Sequence, residues 1–281
     1  MLKLKQDLSM EKPKILYISQ EISPYLAETP LSVLGRDLPQ SVLEKGFEVR
    51  TFMPRYGSIN ERRNQLHEVI RLSGVNISID DSDHPLIIKV ATLQPSRMQV
   101  YFIDNDDYFL RSGAKALETE IMADDNDERM MFFVRGVLET VRKLRWDPAV
   151  IHCTGWISAL APMYVKHMAA DDPSLARAKI VYSLRSETFD GTLDPRFAEK
   201  LRMAGFTDAE LASLGDQPVD WKALNRLAID HADAIVQSSE DVDEELIEYA
   251  RKSGKPFLPY VGDIEQTSQA YADFYNSLSQ E

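Results

Sequence analysis

The sequence predicts an α/β protein built on a doubly wound, mostly parallel β-sheet. Short apolar runs recur at "KILYIS" (14–19), "FEVRTFMP" (47–54), "AVIHCT" (149–154), "KIVYSL" (179–184), "AIVQSS" (234–239) and "KPFLPYV" (255–261). They are too continuous for strands with one wet face, which alternate, and read as buried parallel strands. Amphipathic segments lie between them. Residues 127–146 align Met130, Val134, Val137, Leu138, Val141 and Leu144 on one stripe, and 156–169 and 220–232 behave alike. Strand–helix–strand repetition of this kind gives a parallel sheet covered by helices. Residues 68–104 break the pattern: "EVIRLSGVNISID", "PLIIKVATL" and "MQVYFID" follow one another with turns and no helix, and predict an antiparallel β insert at the sheet edge. With no repeat, low-complexity tract or long linker, the expectation is one domain over 1–281. Its core is 14–262, its insert 68–104 and its terminal helix 264–280.

Composition narrows the function classes. The chain has 281 residues, 44% of them hydrophobic and 27% charged, enough for a sizeable core. A net charge of −13 argues against nucleic acid or an anionic membrane as partner, because phosphates are held by clustered Lys and Arg. The single cysteine, Cys153, rules out an intrachain disulfide and fits a reducing cytoplasm. The start "MLKLKQDLSMEKPK" lacks the apolar core of a secretory signal, and no stretch approaches the roughly 18 apolar residues of a spanning helix. A soluble cytoplasmic protein is expected.

Parallel sheets bind ligands at the carboxyl ends of their strands. Those ends carry "SQEISPY", "PRYGSI", "HCTGW" and "RSETFDG". The segment "AETPLSVLGRDLP" (27–39) sits where many α/β proteins hold a phosphate, yet Pro30 has no N–H to donate and Glu28 would repel an anion. It reads instead as a helix start, with Thr29 as N-cap and Pro30 in the first helical position. His152 offers an acid/base group and Cys153 a thiol, but no orienting partner is visible in the sequence. A hydrogen-bonded core histidine and a buried small hydrophobe are the readings preferred. "ADDNDER" (123–129) lacks the turn glycine and distal glutamate of an EF-hand and suits the first turn of the following helix. "DDSDH" (80–84) reads as a solvated turn. No Cys/His spacing points to zinc, no G-x-S-x-G to a hydrolase and no G-x-G-x-x-G to a dinucleotide, so neither metal nor cofactor is expected.

Six segments, in order, resemble the N-terminal half of bacterial glycogen synthases and plant starch synthases. These are "KILYISQEISPY", "LPQSVLEKGFEVRTFMPRYGSI", "VYFIDNDDYFLR", "DNDERMMFFVRGVLE", "WDPAVIHCTGWISALAP" and "NRLAIDHADAIVQSS", together spanning roughly 14–240. The resemblance implies the Rossmann-like N-terminal half of a two-domain GT-B glucosyltransferase, the family that moves glucose from ADP-glucose to an α-1,4-glucan. The departures fall on the chemistry. The family's K-T-G-G-L sugar-nucleotide loop falls on Ala27, Glu28, Thr29, Pro30 and Leu31, and the acidic residue after it on Val33. In the family's H-x-H-D-W motif His152 and Trp156 persist, while Thr154 and Gly155 replace the second histidine and the aspartate. The next strand ends in His-Asn in the family and in Arg185-Ser186 here. The family's second domain, which supplies most ADP-glucose contacts, has no counterpart in the sequence.

The resemblance therefore implies a degenerate synthase-like domain of glycogen biosynthesis, a pseudoenzyme acting as a glucan-binding or regulatory module. The alternative is a glucosyltransferase completed by a separate chain. An α-glucan or a protein is the expected partner, and ADP-glucose is not favoured. Glu21, Tyr56, Asp125, Asn126, Arg129, His152 and Trp156 survive on the family's acceptor side. They form either a remnant glucan groove, with Trp156 or Tyr56 stacking on a sugar ring, or packing and capping positions. "SQAYADFYNSLSQ" (268–280) is similar to the family's final crossover helix, expected to pack on the domain after internal loss of the second one. An ordinary terminal amphipathic helix is the other reading.

Overall fold

A computed structural model of the chain describes residues 12–110, 123–169, 172–262 and 264–279. Residues 1–11, Arg111 at the end of the "VYFIDNDDYFLR" segment and residue 280 of the last helix lie outside these. The chain opens with β1 (Lys14–Ser19), α1 (Pro30–Glu44) and β2 (Glu48–Pro54). Four strands follow: β3 (His67–Glu68), β4 (Val75–Ile79), β5 (Ser82–Leu93) and β6 (Met98–Asp104). A short α2 (Asp106–Phe109) and the long α3 (Asn126–Leu144) lead to β7 (Val150–Thr154), α4 (Ala161–Ala169) and β8 (Lys179–Leu184). The chain continues through α5 (Phe197–Met203), α6 (Trp221–His231), β9 (Ala234–Gln237), α7 (Glu244–Lys252), β10 (Phe257–Leu258) and α8 (Ile264–Ser279).

The strands lie in the order β10-β9-β8-β7-β1-β2-β6-β5-β3, with β4 paired to β5 off this path. From β10 to β6 every pairing is parallel. The central strands are buried almost throughout, β7 from end to end. That two-sided burial is why their sequences read as unbroken apolar runs. β1 steps to β2 in one direction and β7 steps to β8 in the other, so right-handed crossovers place α1 and α4 on opposite faces. The direction reverses between β1 and β7, and a doubly wound sheet opens its crevice at such a point.

Three expectations are corrected. Residues 98–104 do not belong wholly to an antiparallel insert: β6 pairs parallel with β2, Thr51 opposite Val100, and antiparallel with β5. Parallel pairing across some 45 intervening residues leaves no local signal. The antiparallel part is β3, β4 and β5, and the alternating burial of β4 and β5 marks one wet face. In the second correction, 156–169 is not one helix. Residues Trp156–Ser158 form a single 3-10 turn, and α4 begins at Ala161 with Pro162 in its first turn, where a missing N–H costs nothing. The strand expected over 255–261 shrinks to Phe257–Leu258, bounded by Pro256 and Pro259.

α1 starts as the sequence predicts. Thr29 Oγ1 accepts from the Ser32 N–H at 3.0 Å and Ser32 Oγ accepts from the Thr29 N–H at 2.9 Å, a reciprocal capping box with Pro30 as first helical residue. α1 packs against β2 and α8, and α8 lies over β7 with Tyr271, Tyr275 and Leu278 buried. α8 is thus docked on the domain. Among the described residues no helix is long and apolar enough to cross a membrane.

One contact fixes α1 against the loop after β1. A Cβ at Gly35 would stand 2.1 Å from the Glu21 carbonyl oxygen, a backbone atom with no room to move. The Ser23 N–H also donates to the Ser32 carbonyl at 2.9 Å. Overpacked sites lose about 1–3 kcal/mol. Gly35→Ala should therefore lower the free energy of unfolding by an amount in that range, read as a lower urea midpoint, and an unchanged midpoint would show that α1 can shift freely.

Candidate functional site

Adjacent strands β1, β7 and β8 end in register, Ser19 opposite Thr154 and Thr154 opposite Ser183. Their following loops consequently meet at one place. A cleft of about 230 Å³ opens there, lined by Gln20, Glu21, Glu28, Thr29, Pro30, Leu31, Trp156, Glu187 and Thr188.

Glu21 forms its floor and is 3% exposed. Its carboxylate accepts from Thr29 Oγ1 at 2.8 Å and from Gln20 Nε2 at 3.5 Å. The Thr29 hydroxyl thus caps α1 and donates to Glu21 at once, as a hydroxyl with one proton and two lone pairs can. This puts the Glu21 carboxylate at the amino end of α1, the end whose dipole favours an anion. Leu31 is buried, Val33 lies half-buried on α1, and the Ala27 carbonyl accepts from Ser32 Oγ at 2.9 Å. Glu28, on the exposed rim, accepts from Arg36 Nη1 at 3.3 Å, and Arg36 Nε donates to Asp37 at 2.5 Å.

Gln20 was not legible as a site residue, yet it ties the floor together. Its N–H donates to the Thr154 carbonyl at 3.0 Å, its own carbonyl accepts from Tyr56 Oη at 3.1 Å, and its Oε1 accepts from the Ile157 N–H at 3.4 Å. Gly155 stands against it at φ +86. A Cβ there would approach Gln20 Cβ to 2.5 Å and Oε1 to 2.7 Å. Gln20 therefore fills the space that a side chain at 155 would need.

The surviving family positions do not all converge. Glu21 and Trp156 line the cleft. Trp156 is 6% exposed and meets Phe189 edge-on at 5.8 Å. Tyr56 is 2% exposed, its ring edge-on to Phe109 and its hydroxyl on Gln20, so the expectation of a sugar-stacking platform fails there. Asn126 and Arg129 are buried at the start of α3, Arg129 Nη1 donating to Asn126 Oδ1 at 2.6 Å, with Asp125 at the N-cap position. Burial raises the Tyr56 phenol pKa, with the charge of Arg129 lowering it and that of Glu21 raising it. The acidic run beside them has a structural task. Lys200, itself buried, bonds Asp127 at 2.8 Å, Glu128 at 2.7 Å and Asp194 at 3.0 Å. Burial works against its charge, and those carboxylates outweigh burial and raise its pKa.

His152 is removed from the groove altogether. It lies fully buried beneath α8, Nδ1 hydrogen-bonded to Tyr275 Oη at 2.5 Å and Nε2 to Ser183 Oγ at 2.5 Å, with Tyr17 Oη on to Tyr275 Oη at 3.2 Å. It is a core histidine, and Cys153 beside it is a buried thiol whose pKa burial raises.

At the end of β8, Arg185 donates through Nε and Nη2 to Glu187 at 2.7 and 2.6 Å, and through Nη1 to the Ser238 carbonyl at 3.1 Å. The Ser186 N–H donates to Ser239 Oγ at 2.9 Å. Glu187 belongs to the cleft wall. It stood within "RSETFDG", but nothing in the sequence pairs it with Arg185.

Sheet order, reversal point and cleft are those of a Rossmann-like domain, and the fold matches a GT-B glycosyltransferase domain. The chain belongs to the glycogen and starch synthase family: the profile of the starch synthase catalytic domain matches residues 14–255. It is 33% identical over 244 residues to a glycogen synthase of Pelodictyon phaeoclathratiforme, covering 85% of this chain and 48% of that one. With a glycogen synthase of Chlorobium limicola it shares 34% over 240 residues, 83% of this chain and 47% of the other. The chain thus spans about half the length of the curated relatives it matches. The catalytic domain of starch synthase IV from Arabidopsis thaliana, bound to ADP and acarbose, superposes with a TM-score of 0.72. It is 18% identical and covers 92% of this chain and 53% of that one, a likeness of fold.

Burial lowers the His152 pKa from 6.5 to about 3. Between those values the unfolded chain binds one more proton at this site than the folded one, so its contribution erodes stability as pH falls from 6.5 towards 3. One such proton is worth about 1.4 kcal/mol per pH unit. His152→Asn should flatten the acid limb by that slope in urea titrations between about pH 6 and about pH 4. Parallel limbs for the two proteins would contradict the assignment.

Proposed function

We propose that this domain serves α-1,4-glucan metabolism as a glucan-binding or regulatory module and does not by itself transfer glucose from ADP-glucose. The observation that carries the reading is the charge of the cleft. Glu21, Glu28 and Glu187 line it, and its helix start presents Pro30, which has no N–H, with the Glu21 carboxylate already at that end. A diphosphate leaving group needs donors aimed at its developing charge. Three carboxylates oppose it.

The cleft does suit a hydroxyl-rich, uncharged group. At about 230 Å³ it is smaller than the roughly 300 Å³ at which drug-sized pockets begin, room for a ring rather than a whole nucleotide sugar. Trp156 supplies apolar wall beside the carboxylate acceptors, a combination that pairs with the faces and hydroxyls of a sugar. Membership of the synthase family supports a glucan as the source of that ring.

Purified protein should incorporate no radiolabelled glucose from ADP-glucose into glycogen and should bind maltoheptaose but not ADP-glucose in calorimetric titrations. Incorporation by the protein alone would overturn the proposal. Incorporation only after a second polypeptide is added would favour a completed transferase, and failure to bind either ligand would remove the glucan half of the reading.

A further inference from the structure

We propose that Glu187 is a specificity-determining residue that masks an anion site: its carboxylate occupies the fork of Arg185 and so keeps small oxyanions out of the cleft. The guanidinium offers planar paired donors in the geometry that matches carboxylate and phosphate oxygens. Here Nε and Nη2 meet Glu187 Oε2 and Oε1 at 2.7 and 2.6 Å, two parallel charge-assisted bonds of the kind an external oxyanion would make. The chain carries its own occupant for the site.

The placement of the two groups makes this a mask rather than a surface ion pair. The Arg185 side chain is 6% exposed and anchored from behind by the Ser238 carbonyl, whereas that of Glu187 is 33% exposed and lines the cleft. The cation is fixed and the carboxylate stands between it and the cavity. Glu187 also lies on irregular backbone after β8, where no helix or sheet ladder dictates its side-chain direction. The same layering recurs across the cleft, where rim Glu28 stands on Arg36. Both walls therefore present carboxylate outward with guanidinium behind.

Removing the carboxylate would leave a buried cation unpaired, a costly state that any anion of suitable size relieves. The ligand class is a small oxyanion carrying two or more coplanar oxygens, such as phosphate or pyrophosphate. This inference does not depend on whether the cleft holds glucan, because its readout contains no sugar.

The test uses inorganic pyrophosphate as probe. Glu187→Ala should bind it about tenfold or more tightly than the wild type in calorimetric titration. Pyrophosphate should also raise the melting temperature of Glu187→Ala while leaving the wild type unmoved. The double variant Arg185→Met/Glu187→Ala should lose both gains. Equal pyrophosphate affinity in wild type and Glu187→Ala overturns the proposal, as does undiminished binding by the double variant. If Glu187→Ala does not fold, Glu187→Gln keeps an acceptor for one Arg185 donor without the charge, and the same comparison with Arg185→Met/Glu187→Gln decides.

Discussion

Backbone contact between α1 at Gly35 and the carbonyl of Glu21 is the constraint on which the cleft rests. With no side chain at 35, the helix approaches the loop after β1 closely enough for Ser23 and Ser32 to share a hydrogen bond. That approach brings the Thr29 cap within 2.8 Å of the Glu21 carboxylate. A helix start, which in isolation is only a way of satisfying orphan N–H groups, becomes one wall of a site. β7 and β8 supply the opposite wall because their pairing holds their ends level with β1. The site is thus assembled by register and by one missing Cβ.

The electrostatics follow from the same geometry. Arginines close to the cleft are already engaged, Arg36 with Glu28 and Asp37, Arg185 with Glu187. Farther back, Lys200 is held among three carboxylates, Asp127 and Glu128 at the start of α3 and Asp194 ahead of α5. Positive charge in this region is matched by carboxylates, Asp127 buried with Lys200 and Glu28 and Glu187 reaching the cleft, in a chain whose net charge is −13. A diphosphate held at this point would need the reverse polarity.

Much of the fold was legible because burial on both faces leaves a local mark. β1 and β8 occupy the very runs their apolar continuity picks out, and α1 begins where Thr29 and Pro30 say it should. The parallel pairing of β6 with β2 was not legible, since strand order is decided by partners distant in sequence. α5 was missed because seven residues between turns carry too short a period to count. In the site, motif resemblance located Glu21 and Trp156 but could not distinguish a lining residue from a buried one, hence Tyr56. The partner His152 lacked in the sequence proved to be Tyr275, 123 residues away on α8. Gln20 acquires its role through such distant contacts, whereas Arg36 and Glu187 pair with near neighbours in the sequence, Glu28 and Arg185, a pairing that residue type alone does not announce.

The tight seat of Gln20 over Gly155 makes the floor of the cleft hard to alter. At φ +86 the backbone at 155 is one that side chains rarely adopt, and Gln20 blocks the volume as well. A carboxylate placed at 155 by one substitution would meet strained backbone and an occupied space together. Gln20 would have to shrink first, at the expense of its bond to the Ile157 N–H. The two positions are coupled: a change at 155 has to pass through a variant of Gln20 that is less well packed than the present pair.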